Sequence, residues 1–150
     1  MTSLSLADLT ATPNLRPGKA STSEIREGTH AFVAQLTADQ RDLLEAQWVA
    51  SRKRDDRSVV GFRAFVVAWC LCDDRNRRLL DSGSDPDAVR SDFLEAADAI
   101  GKQHAAALSR LFDLACAKNG LTKQDIEDLE GNYEPPKSGD GSGDKPSQPA

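Results

Sequence analysis

The stretch whose reading decides the fold is Gly61-Phe-Arg-Ala-Phe-Val-Val-Ala-Trp-Cys-Leu-Cys-Asp-Asp-Arg-Asn-Arg-Arg-Leu-Leu80. An apolar run stops abruptly at a charged turn. Val59, Phe62, Val66, Trp69 and Cys70 recur at intervals of three and four, which is one face of a helix. Phe65, Val67 and Leu71 fill the other faces, so the element is expected at the packed centre of the molecule. Its β-branched and aromatic content also permits a strand over 59–72, because periodicity does not separate the two in a run this apolar. The reading favours a helix, with Ser58 as its cap and Asp73 to Arg78 as a turn.

The signals on either side are mainly helical. Thr37-Ala-Asp-Gln40 has the spacing of a capping box and opens a helix expected from Ala38 to about Arg52. Leu43, Leu44, Gln47 and Trp48 follow at helical spacing, and Arg52 to Arg54 suit the negative end of the helix dipole. His30 to Leu36 reads as a short N-terminal strand. Asp85-Pro86-Asp87 has the composition of a helix start, followed by Val89, Phe93, Ala97 and Ile100 up to Gly101. Ala105, Leu108, Leu111, Phe112 and Ala115 form another stripe, closed by Asn119-Gly120, two residues that tolerate the left-handed conformation of a C-cap. Thr122 caps a last short helix with Ile126 and Leu129.

The ends differ in composition. Met1 to Gly28 is rich in Ser, Thr, Ala, Pro and Gly without a sustained period, and reads as a flexible lead, extended or disordered. From Gly131 onward the chain holds four Gly, four Pro and three Ser. Such a segment buries too little apolar surface to offset an ordering entropy of about 1–2 kcal/mol per residue. The expectation is one small, mainly α-helical domain over residues 29–133, with disordered tails at 1–28 and 134–150.

Charge and chemistry narrow the function classes. Lys and Arg number 19 against 24 Asp and Glu, a net charge of -5. An acidic chain binds nucleic acid poorly unless its basic residues share a face. Arg52 to Arg57 and Arg75 to Arg78 are the candidates, but Asp55 and Asp56 interrupt the first run. No secretory signal or membrane-spanning run is present, so a reducing cytoplasm and no membrane partner are expected. Cys70, Cys72 and Cys116 lack the paired spacing of a zinc site, and two histidines without a nucleophile or phosphate-loop motif leave little for an enzyme. The reading is a protein without catalysis, cofactor or metal. Phe62, Phe65, Trp69, Leu108, Leu111 and Phe112 are candidates for either core or a groove that takes a client helix.

Five motifs stand in a familiar order: Leu71-Cys72-Asp73, Arg78-Leu79-Leu80, Ala105 to Phe112, Asn119-Gly120-Leu121, and Asp125-Ile-Glu-Asp-Leu-Glu-Gly-Asn-Tyr133. Over Leu36 to Tyr133 the chain resembles the tail assembly chaperones of long-tailed bacteriophages, the type encoded before the tape measure protein. The resemblance implies a mainly helical protein of phage or prophage origin. Such a protein binds the tape measure protein, keeps it soluble, helps recruit tail tube protein and is absent from the finished particle. It also implies frequent self-association as a homo-oligomer, and a longer frameshifted form that engages the tube protein. Pro135-Pro136-Lys137 can be encoded by a heptamer that allows a backward slip. The alternative from another class is a small helical regulator that binds nucleic acid through the two basic runs.

Overall fold

The computed structural model of the protein describes residues 3–53 and 60–131. Among them are six helices and a three-stranded antiparallel sheet, so the fold is mainly α. The order is α1 (Leu6–Thr10), β1 (Gly18–Ser21), β2 (His30–Val33), α2 (Ala38–Arg52), α3 (Phe62–Cys70), β3 (Leu71–Cys72), α4 (Ser91–Gly101), α5 (Ala105–Asn119) and α6 (Lys123–Gly131).

The decisive stretch is a helix that ends in a strand. Every residue of α3 except Arg63 is buried. A segment covered on all sides must satisfy its backbone polar groups internally, and only a helix does so without neighbouring strands. Gly61 is its N-cap, and the Phe65 amide donates to the Gly61 carbonyl at 2.9 Å. Ser58 and Val59 lie outside the described residues. Leu71 and Cys72 then turn extended and pair with Val33 and Phe32 of β2. The charged turn closes a small hairpin, with Leu79 donating back to Leu71 at 2.9 Å and Asn76 at φ 67°. Asparagine tolerates that left-handed conformation better than most residues.

α3 packs against α2, α4 and α5, and α5 also lies across β1 and β2. Helix α2 begins where the capping box placed it, with the Thr37 hydroxyl accepting the Gln40 amide at 3.2 Å and Gln40 returning to the Thr37 amide at 2.9 Å. Thr122 and Asp125 repeat the device at α6, at 3.1 and 2.9 Å. On α5 the buried positions are Ala107, Leu111, Phe112 and Ala115; Leu108 is half-buried and Ala105 is exposed. Its end is a Schellman turn. Gly120 at φ 66° and Leu121 both donate to the Cys116 carbonyl. Asn119 is still helical, and Gly120 takes the left-handed conformation.

One expectation is corrected and one segment gains detail. Within the lead, Gly18–Ser21 forms the extended strand β1 and pairs with β2 from Gly18↔Val33 to Ser21↔His30. The strand joins the body because Gly18 lacks a side chain: a Cβ there would stand 2.8 Å from Cδ1 of Leu114 on α5. Upstream, Leu6–Thr10 forms the short helix α1. The correction concerns Asp85-Pro86-Asp87, which does not start a helix. Helix α4 starts at Ser91, with Arg90 as N-cap. Residues 85–88 close a single turn whose carbonyls face inward to the side chain of Gln47 rather than along a helix axis.

Candidate functional site

Five of the six candidate residues belong to the core. Phe62, Phe65, Trp69, Leu111 and Phe112 are all buried. The rings of Trp48, Phe62, Phe65, Phe93 and Phe112 form a chain of edge-to-face contacts with centroids 5.1 to 5.9 Å apart. This arrangement is favoured by the ring quadrupoles, and all five rings are buried.

Leu108 alone of the six is half-buried, next to Leu111. The two form one wall of a cleft of about 220 Å³, with Val67 and Leu71 from the α3–β3 junction and Ile100 from α4. The loop between β1 and β2 brings Thr22 and Ile25 to its mouth, and Ile25 is exposed. Gln103, in the corner between α4 and α5, is the other polar residue there. A wider depression of about 610 Å³ lies between Val49 of α2 and Pro86. It carries Lys53 and Asp87 and borders the limit of the described residues, so the smaller cleft is the better-defined apolar surface.

The mouth of the cleft is held in place electrostatically. Arg110 of α5 donates two hydrogen bonds to the Glu24 carboxylate, at 2.6 and 3.0 Å, and a third to the Ser21 carbonyl at 2.8 Å. The Arg110 hydrogen bond is the main reason that the Glu24 carboxyl is pulled down to about 2. Within the loop, Thr22 and Thr29 share a hydroxyl hydrogen bond of 2.7 Å, so residues 22–29 form a compact unit latched to α5.

Behind the cleft lies a buried polar network that the sequence pattern concealed. The Gln47 side chain accepts the Trp69 indole N–H at 2.9 Å. Its Nε2 lies 3.0 to 3.4 Å from the carbonyls of Ser82, Gly83, Asp85 and Ala88. Arg78 stacks on the Trp69 ring, 3.4 Å from its centroid, and donates to the Trp69 carbonyl and to Ser82 Oγ. Burial lowers the Arg78 guanidinium to about 10, still charged at neutral pH. One signal was available: a glutamine on the apolar stripe beside Leu44 and Trp48 needs a partner once buried.

The basic runs are distributed as follows. Arg77 pairs with Asp73 at 3.0 Å, Arg78 is in the network just described, and Arg75 is exposed. The Arg52 guanidinium lies 5.2 Å from the centroid of the Trp48 ring; Arg54 and Arg57 are outside the described residues. Cys70 and Cys72 are buried and Cys116 is half-buried. Burial pushes their thiols up to about 12, 11 and 11, so they are protonated at neutral pH. Among the described residues no group of three or more His, Cys, Asp or Glu side chains is arranged to hold a metal ion. No helix among them is long and apolar enough to cross a membrane.

Comparison of the chain with protein-family models, curated proteins and solved structures found no match.

Proposed function

We propose that this chain is a phage or prophage tail assembly chaperone that shelters apolar helical faces of a tape measure protein. The observation that carries the reading is the cleft walled by Leu108 and Leu111, an apolar surface reaching solvent beside a closed aromatic core. A helix presenting two or three apolar residues at intervals of three and four fits such a surface. The order of the five sequence motifs supports the same class. Binding would be reversible and without bond chemistry, and the net charge of -5 would add solubility to the complex.

The test is whether a long helical protein is encoded next to this chain, followed by co-expression of the two. The expected outcome is a soluble complex that co-purifies, weakened by Leu108→Glu in a variant whose melting curve shows it folded. An adjacent tape measure protein that stays insoluble and uncaptured sinks the proposal. Recruitment of tail tube protein by a longer frameshifted form rests on Pro135-Pro136-Lys137, outside the described residues. A gene whose codons there form no slippery heptamer, or no open shifted frame, removes that part alone.

A further inference from the structure

Helix α6 is attached firmly at one end and lightly at the other. Where the chain enters it, Leu121 is buried. Arg41 of α2 clamps the same corner, donating to the carbonyls of Asn119 and Gly120 at 3.1 and 3.4 Å and to the Asp125 carboxylate at 3.2 Å. At the far end the clasp is a hydrogen bond from the Trp48 indole N–H to the Leu129 carbonyl, at 2.8 Å. No residue of α6 is buried, and Ile126 and Leu129 rest half-buried on the core. Trp48, by contrast, is only 3% exposed and meets the rings of Phe62 and Phe65 edge to face. A segment with so little buried surface opens at a lower free energy than the core beneath it.

We propose that α6 is a releasable strap, which swings off Trp48 about Leu121 and Thr122 while the other helices stay packed. The corner is built to stay behind. Arg41 keeps its bonds to the Asn119 and Gly120 carbonyls when Asp125 leaves, and Leu121 remains a buried anchor. Only a short joint then has to absorb the change in backbone angles. Once off its surface, a helix of nine residues is unstable in water, so the open state gains chain entropy.

Opening leaves the Trp48 indole N–H without its acceptor and one face of the Arg41 guanidinium without its carboxylate. A tryptophan and an arginine beside freed apolar area are the side chains that most often anchor an interface. The seat takes a helix that repeats the pattern of α6 itself: an acid, then apolar residues one and four positions on, as in Asp125, Ile126 and Leu129. Resting on the chaperone reading, that occupant is a client helix, and α6 is its internal competitor. The strap keeps the seat covered while no client is present, and client affinity is reduced by the fraction of chains in which it is closed.

The full chain is tested by hydrogen exchange followed by NMR, with the two indole protons as an internal comparison. The Trp48 N–H and the α6 amides are expected to exchange at least about 100-fold faster than the Trp69 N–H, held by Gln47, and the α3 amides. Urea below the unfolding transition is expected to speed α3 steeply and α6 hardly at all, because local opening exposes little surface. Exchange of α6 at the rate and urea dependence of α3 would mean that it leaves only on global unfolding, and overturns the strap. Occupancy of the seat is tested with a synthetic peptide of residues 121–131. It is expected to shift the Trp48 indole signal in the Ile126→Asp, Leu129→Asp double variant, whose Trp69 signal reports an intact core, and not in the wild type. A double variant whose Trp48 signal ignores the peptide overturns the seat. Failure to capture a tape measure protein, with fast α6 exchange and peptide binding intact, removes the chaperone reading and leaves the strap standing.

Discussion

Gln47 Oε1 accepts the indole N–H of Trp69 at 2.9 Å, in a core where both side chains are fully buried. The same amide holds the 82–88 turn through its Nε2. Gln47→Leu keeps the volume and removes both functions. The indole N–H and the facing carbonyls lose their partner, at a cost of about 3 kcal/mol in urea unfolding. Gln47→Glu places a carboxylate against those carbonyls, and burial raises its pKa. Its stability is therefore expected to rise as the pH is lowered through the neutral range, where the wild type stays flat. A flat Gln47→Glu profile would show that the site is wetter than the structure has it.

Asn76 and Asn119 together satisfy the linker between β2 and α2. Asn76 exchanges two hydrogen bonds with the backbone of Gln35, at 2.9 and 2.8 Å. Asn119 accepts the Leu36 amide at 2.7 Å and donates to the carbonyls of Ala34 and Ala115 at 3.0 Å. Asn119→Asp loses both donors and adds negative charge at a helix C-terminus, costing about 2–3 kcal/mol. At position 76, glycine retains the φ of 67° and alanine does not. Asn76→Ala is expected to be less stable than Asn76→Gly by about 1 kcal/mol, read from denaturation midpoints.

Gly18 is where β1 touches α5. Gly18→Ala forces Leu114 to move and is expected to cost about 1 kcal/mol. Leu114→Ala makes room for the new methyl. A double-mutant cycle is expected to show a favourable coupling of about 0.5–1 kcal/mol between the two substitutions. Strict additivity would mean that the strand does not pack against α5 as described.

The Glu24–Arg110 pair gives a signed pH dependence. Glu24 titrates at 4.5 when unpaired and at about 2 in the fold. Its folded value is depressed, so its contribution is fully present above 4.5 and is lost as the pH falls from there through about 2. The stability difference between wild type and Glu24→Gln is expected to be constant at neutral pH, to shrink below 4.5 and to be mostly gone near pH 2. A difference that persists at pH 2 would assign the latch to packing instead.

Much of the architecture was legible because its causes are local. The Thr37–Gln40 box sets the start of α2 with bonds that span three residues. Gly120 sets the end of α5 by its own φ. The candidate site was only half legible. Phe62, Phe65, Trp69, Phe112, Leu108 and Leu111 share the periodicity of buried and groove-lining residues alike. Local spacing gives no sign that Phe62, Phe65 and Phe112 meet in an aromatic chain and Trp69 in a polar network, while Leu108 and Leu111 wall a cleft.

The sequence by itself determined the mainly helical class, the bounds of α2, the charged turn after α3 and the caps of α5 and α6. All of these rest on side chain and backbone within a few residues of each other. Only the tertiary structure decided that Gly18–Ser21 is a strand, that the 85–88 turn is not a helix start, and that a cleft opens beside α5. Those outcomes depend on groups far apart in the chain: Gln47 with Ser82, Gly18 with Leu114, Arg110 with Glu24. Local propensity does not encode such pairs, because each exists only once the helices have packed and the intervening chain has been ordered.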